Sequence, residues 1–242
     1  MKEILYTALL ILVINGCSGG NTVENNNEDV THPESRFVNI GNFINYDNCD
    51  QVIDKEFSTG RTIEACYDYD LKASTFVAYT LDGDLVYENN IVPRPDFYSE
   101  PTIPRDLRSK YSDWTHSGYD RGHLPPDASF DYNDEDLYII YSLVFNIAQD
   151  RDVNRLGWAD LEKYARDISV SLGELTVLNG VIFDDNPQRI GSSSMAVPSG
   201  FYKVLINEDA NFQECYYYDN FILGDIDLDN ISLHQVDCQE YL

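Results

Sequence analysis

Apolar positions along this chain change their spacing several times, and each change marks an expected element. Residues 74–80 (STFVAYT) and 84–92 (DLVYENNIV) are rich in β-branched and aromatic side chains, and Leu81-Asp82-Gly83 lies between them. Asp-Gly supplies the positive φ of a tight turn, so these runs predict a β-hairpin. Residues 93–130 contain six prolines and no sustained period, which predicts mostly loop. Residues 134–147 form an apolar run that reads as helical early and extended near its end. In residues 153–171 (VNRLGWADLEKYARDISVS), Leu161, Tyr164, Ala165 and Ile168 follow the i, i+3, i+4, i+7 pattern of an amphipathic helix. LTVLNGVIF, FYKVLIN and ECYYYDNFIL then read as strands. Hairpin, loop, helix and strands in this order predict an α+β fold over residues 36–242.

The first residues have a different character. MKEILYTALLILVINGC places Lys2 ahead of an apolar core at 4–14. That core is shorter than the roughly 20 residues of a spanning helix, so residues 1–16 read as an export signal. Ile14-Asn15-Gly16-Cys17 resembles a lipobox, in which the cysteine is lipidated, and Ser18 resembles the next residue of lipoproteins passed to an outer membrane. The rival reading is an ordinary cleaved signal with a chance cysteine. Residues 17–35 are polar and Asn-rich, as in a flexible tether. The expectation is a protein anchored by lipid in a bacterial envelope, facing the periplasm or the cell surface, and not spanning the membrane. Cys49, Cys66, Cys215 and Cys238 remain, an even number that predicts disulfides in an exported chain. Of three possible connectivities, the local pairs Cys49–Cys66 and Cys215–Cys238 are preferred. No C-x-x-C occurs, which argues against zinc or thiol redox chemistry.

Charge narrows the function. Acidic residues outnumber basic ones 42 to 16, for a net charge of −26. A generic nucleic-acid coat is excluded, because Lys and Arg supply most of such affinity. Nine of the 16 cations nevertheless fall within 94–166, which carries −5 against −21 for the remainder. Positive charge therefore gathers where an anionic substrate would need it.

Inside that region lies SGYDRGHLPPDASF (117–130), with Arg121 and His123 one residue apart. Phosphodiester hydrolysis needs an activated water, neutralisation of charge on phosphorus oxygens, and help for the leaving oxygen. Histidine suits the first task because its ordinary pKa of about 6.5 lies near working pH. A metal and an arginine suit the others. Gly122 would permit close approach of backbone or substrate. Downstream, Asn154, Trp158 and Glu162 are spaced four and four, along one side of a continuous helix. Asn154 offers a neutral hard oxygen suited to Mg²⁺, and Glu162 could hold one of its waters. The structural alternative is Asn154 as a helix cap with Glu162–Arg166 as a surface ion pair.

Together, DRGH and FNIAQ…NRLGWADLEKYAR resemble the DNA/RNA non-specific endonuclease family of ββα-metal nucleases, over roughly residues 86–222 and including VPSGFYKVLI. The resemblance implies a ββα-metal nuclease fold with mixed or antiparallel sheets and a central metal-site helix. It implies Mg²⁺ as cofactor, with Mn²⁺ as an alternative, and hydrolysis of DNA and RNA to 5′-phosphates. In that scheme His123 is the general base and Asn154 the one direct metal ligand. Glu162 orients metal-bound water, Asn146 supports the site, and Arg121 and Arg155 contact site or phosphate. Arg94 matches an upstream transition-state arginine more loosely, and Arg166 follows Glu162 by four as a substrate contact. Asp120 sets local structure rather than moving protons.

Two departures stand out. The family's Asn-Ile-x-Pro-Gln is Asn146-Ile147-Ala148-Gln149 here, one proline short, and Leu156-Gly157 reverses the usual order. These and the acidity keep a second reading open, a catalytically weakened nucleic-acid-binding or structural surface lipoprotein. GDIDLDN resembles a calcium loop, but Asn230 and Val236 stand where an EF-hand needs glycine and an acid.

Overall fold

The computed structural model describes Phe37 and residues 43–47, 49–221 and 227–241. The expected signal, Cys17 and the tether lie outside these residues. Strands β1 (Gln51–Glu56), β2 (Thr62–Asp68) and β3 (Ala73–Asp82) come first. Then follow β4 (Asp120–His123), helix α1 (Asp134–Ile140), β5 (Asn146–Gln149), α2 (Arg151–Arg155) and α3 (Gly157–Leu172). Strands β6 (Glu174–Ile182), β7 (Arg189–Ile190), β8 (Met195–Ala196), β9 (Gly200–Asn207), β10 (Phe212–Asp219) and β11 (Gln235–Val236) complete the order. The main sheet is antiparallel, ordered β1-β2-β3-β6-β9-β10-β11, and β4-β5 and β7-β8 form small separate ladders.

Both faces of the main sheet are covered, and the alternation of strand side chains shows how. Val77, Tyr79 and Leu81 of β3, with Phe201 and Leu205 of β9, join the core that holds Trp158, Leu161 and Ala165 of α3. Their neighbours Phe76, Ala78, Val204 and Ile206 face the other way, into a second cluster with Phe37 and Phe43. Disulfides Cys49–Cys66 and Cys215–Cys238 border that second cluster, with Cα separations of 5.1 and 5.2 Å.

Two expectations need correction. Residues 84–92 form no strand; after Asp82 the chain enters turns, and β3 pairs with β2 and β6 instead. Gly83 does not take the positive φ of an Asp-Gly hairpin. A Cβ there would stand 2.2 Å from the Ser169 carbonyl oxygen, so its lack of a side chain serves close packing against the end of α3. The continuous helix over 153–171 is two helices, interrupted at Leu156 (φ −112°, ψ −98°). Gly157 follows the break, where a Cβ would meet the Leu228 carbonyl oxygen at 2.4 Å and the Tyr218 ring at 2.6 Å. Asn154 therefore sits on α2, while Trp158 and Glu162 sit on α3. Asn154 is no cap: Asp150 caps α2, accepting from the backbone N–H of Asp152 (2.9 Å) and Val153 (3.4 Å).

Gly83→Ala should lower stability by about 1–3 kcal/mol, the cost of forcing atoms into a packed contact. Urea unfolding at neutral pH measures it, and an unchanged midpoint would refute the role assigned to this contact.

Candidate functional site

The DRGH segment, expected within loop, is strand β4. Its ladder with β5 places Asp120 opposite Gln149, Arg121 opposite Ala148, Gly122 opposite Ile147 and His123 opposite Asn146. Gly122 is required by a close neighbour: a Cβ there would lie 2.0 Å from Gln149 Oε1, so the glycine admits a protein side chain. Leu124, just beyond β4, donates its N–H to the Phe145 carbonyl at 2.9 Å.

His123 is enclosed by aromatic rings, with centroids 5.2 Å to Phe97 and 4.8 Å to Tyr141. Burial pushes its pKa down to about 4; nearby Asp127 opposes this, while the charges of Arg94 and Arg121 add to it. The imidazole is thus neutral at physiological pH. Its Nε2 is buried and has no hydrogen-bond partner among the described residues. Asp127 is itself tied down, accepting from Tyr141 Oη at 2.8 Å and pairing with Arg94 Nε at 3.1 Å. Arg94 also reaches Asp131 at 2.9 Å and donates to the Ile91 carbonyl at 2.8 Å. Every guanidinium nitrogen of Arg94 is engaged by protein.

Asp120 organises the neighbouring helix. It accepts from Arg155 Nε at 2.7 Å and Nη2 at 3.1 Å, and from Asn154 Nδ2 at 3.2 Å. Burial alone would raise its pKa, but these hydrogen bonds outweigh it and hold the carboxyl below the usual range. The Asn154 amide nitrogen is committed, which leaves its carbonyl oxygen as the free donor atom. Asn146 is arranged similarly: Nδ2 donates to the carbonyls of Ser142 (2.8 Å) and Ile140 (3.1 Å), while Oδ1 is buried without a partner. The segment lacking a proline is held from outside by Asn220, although the Gln149 side-chain amide is buried without a partner among the described residues. Asn220 receives the Asp150 N–H at 2.8 Å and donates to the Ala148 carbonyl at 3.0 Å.

Glu162 feels the charge of Asp127, as His123 does. Burial raises the pKa of Glu162 to about 7, against the opposing pull of Lys203 and Arg166. Among the described residues, Arg166 does not form the expected ion pair with it; its guanidinium lies 5.7 Å from the Tyr87 ring centroid. Sequence reasoning missed Lys203. It is fully buried on β9, between Phe201 and Leu205 on the α3 side, with Nζ 2.7 Å from Asn179 Oδ1 and 4.2 Å from the Trp158 ring centroid. Burial pushes its pKa down to about 8, against the charge of Glu162. Asn179 donates onward to the Leu124 carbonyl at 2.5 Å and to Tyr79 Oη at 3.2 Å. The available signal was a lone lysine inside the otherwise uncharged run FYKVLIN. Asp127 and Phe97 were also missed, because they lie in a stretch without a period, and Tyr141 because it reads as one more apolar position of the run 134–147.

Among the described residues, no group of three or more His, Cys, Asp or Glu side chains gathers around a metal position. A cation here would depend on the Asn154 carbonyl oxygen, on water, and on a carboxylate nearby. That donor set is hard and oxygen-only, and it suits Mg²⁺ better than zinc or copper.

The shifts make a stability prediction. His123 binds a proton below about 4 when folded but below about 6.5 when unfolded, so it costs stability as pH falls from 6.5 to 4. Glu162 acts oppositely in its own window, costing stability as pH rises from about 4.5 to about 7. His123→Gln should flatten the acid loss, by up to about 1.4 kcal/mol per pH unit. Urea midpoints of the two proteins between pH 4 and 6.5 measure the difference, and parallel curves would contradict it.

The model of the DNA/RNA non-specific endonuclease family matches residues 40–241. Human "Endonuclease G, mitochondrial" is 28% identical over 158 residues, covering 61% of this chain and 53% of that protein. Schizosaccharomyces pombe "Nuclease 1, mitochondrial" is 29% identical over 125 residues, 47% of this chain and 39% of that one. The chain spans about half the length or less of these relatives. A chain from the crystal structure of the EndoG/EndoGI complex aligns with a TM-score of 0.70 at 25% identity, covering 87% of this chain and 89% of that one. The β4–β5 ladder followed by α2 and α3 is the ββα arrangement of metal nucleases. A match over this much of the sequence, carried on that fold, makes the chain a member of the DNA/RNA non-specific endonuclease family.

Proposed function

We propose that the protein is a Mg²⁺-dependent endonuclease that hydrolyses phosphodiester bonds of DNA and RNA, with His123 as the base that activates water. One observation carries this reading: within a nuclease fold, a neutral histidine presents a buried Nε2 that no protein atom uses. A water beside Nε2 would give up its proton there as its oxygen attacks phosphorus. Arg121, with no carboxylate partner among the described residues, faces the developing negative charge. Asn154 would hold the cation through its carbonyl oxygen, with Glu162 accepting hydrogen bonds from the surrounding hydration and Asn146 bracing β5. The cation would supply positive charge for the phosphorus oxygens and the departing oxygen. Arg94, saturated by Asp127, Asp131 and Ile91, acts in this scheme through Asp127 and not as a free phosphate clamp. Arg155 is likewise spent on Asp120, and Arg166 stands beside Glu162 as a substrate contact. The hydrogen bonds that Asn220 makes with residues 148 and 150, beside the missing proline, favour this reading over a weakened binding protein.

The residue pattern of 1–17 supports export and lipidation of Cys17, and the two disulfides agree with an oxidising compartment. Cys17→Ser should then move the protein from the membrane fraction to the soluble fraction of the cells that make it.

Residues 18–242 should nick supercoiled plasmid and degrade RNA in Mg²⁺ and do neither in chelator. His123→Ala should lower the rate by at least about a hundredfold, the usual weight of a general base. Asn154→Ala should raise the Mg²⁺ concentration needed for half-maximal rate. The acid limb of the pH–rate profile should fall near 4 rather than 6.5. A folded protein that cuts neither substrate at any salt or divalent cation would overturn the proposal.

A further inference from the structure

The cations of this chain divide into two kinds. Arg61, Arg94, Arg155 and Arg189 each rest on carboxylates. Arg105, Arg108, Lys110 and Arg121 make no ion pair among the described residues, in a sequence where acids outnumber bases 42 to 16. Lys72, Arg151, Arg166 and Lys203 make none either, but only the first four crowd into one short stretch, 105–121. Two of the acids in that stretch are already used internally. Asp113 is buried and accepts from the backbone N–H of Lys110 (2.8 Å) and Ser193 (3.1 Å), and Asp120 holds Asn154 and Arg155. Asp106, exposed to solvent, is the third.

Tyr111 stands beside two of these cations, Lys110 along the chain and Arg121 in space. The Arg121 guanidinium lies over its ring, 4.3 Å from the centroid, and Arg121 Nη2 donates to Tyr111 Oη at 3.4 Å. Tyr111 is nevertheless 52% exposed, with the tilted Phe97 ring 6.4 Å away, so part of the residue is open to solvent. A partly exposed aromatic ring beside unpaired cations is the chemistry that binds unpaired nucleic-acid strands: bases stack on the ring while phosphates follow the positive charge. Bases held in a duplex are stacked on one another and cannot present a face to the ring.

We infer that Tyr111 is a base-stacking residue, which takes an unpaired nucleobase next to the phosphate held by Arg121, with Lys110 and Arg105 guiding the backbone beyond it. This rests on the nuclease reading and deepens it by naming the form of substrate that the site grips. It also explains how so acidic a protein engages a polyanion, through one narrow track that its own carboxylates leave uncovered.

Binding separates this inference from catalysis. In the His123→Ala background and without divalent cation, fluorescence anisotropy would follow a short single-stranded oligonucleotide, its abasic counterpart, and the matching duplex. Tyr111→Ala should weaken binding of the single strand about tenfold and leave the abasic strand and the duplex unchanged, while Tyr111→Phe should bind like the parent. The double variant Arg105→Ala/Lys110→Ala should flatten the slope of log affinity against log salt by about 1.4, two phosphate contacts on a single strand. Equal weakening on the intact and abasic strands would overturn the inference, since Tyr111 would then only hold Arg121. No change on the intact strand would overturn it as well. Plasmid cutting by the wild-type protein is read separately, and its failure would strike the nuclease reading without altering these binding results.

Discussion

The hydrogen bond from Asn179 to the Leu124 carbonyl is the joint on which the site hangs. Strand β4 is four residues long and belongs to a two-stranded ladder, too little to fix a histidine precisely. Asn179 lies on β6, in the middle of the main sheet, and grips the chain one residue past His123. Its own amide is oriented by Lys203, whose ammonium occupies the Oδ1 side and leaves Nδ2 to face Leu124 and Tyr79. A fully buried lysine is expensive unless it is bonded and partnered by charge. Here it has Asn179, the face of Trp158 and the charge of Glu162. His123 and the helix that carries Trp158 and Glu162 are thereby held by one polar cluster inside an apolar core.

Much of this was legible from residues alone, and the parts that were not share a cause. The strands FYKVLIN and ECYYYDNFIL and the apolar face of α3 declared themselves because their spacing is set by burial. The candidate site residues came from DRGH and the downstream helix. The supposed hairpin failed because Asp-Gly has two uses, positive φ and close approach, and only the position of Ser169 in space tells which applies. The break at Leu156 was hidden for a similar reason. Helical spacing survives on both sides of it, and its partner, Leu228, lies about seventy residues away. Lys203 reads locally as a flaw in a strand; its meaning depends on Glu162 and Asn179, which reach it from other elements.

Charge is used at two scales. Across the whole chain, acidic residues dominate, and dissolved counterions screen their mutual repulsion. Within the site, individual ions are either cancelled, as Arg94 is by Asp127 and Asp131, or deliberately left open, as Arg121 is. Burial keeps His123 neutral and raises the pKa of Glu162 to about 7, so neither group carries its full ordinary charge at neutral pH.

The Cys215–Cys238 bridge gives the end of the chain an unexpected robustness. Leu228 presses its carbonyl toward Gly157 at the start of α3, and the Tyr218 ring packs at the same spot. Both residues lie inside the loop closed by that disulfide. A single backbone cut anywhere in the loop would leave the two fragments covalently joined, with the wedge behind α3 still tethered in place. Such a nicked molecule would run as one species on a non-reducing gel and as two after reduction. The bridge would turn a severing event into a scar.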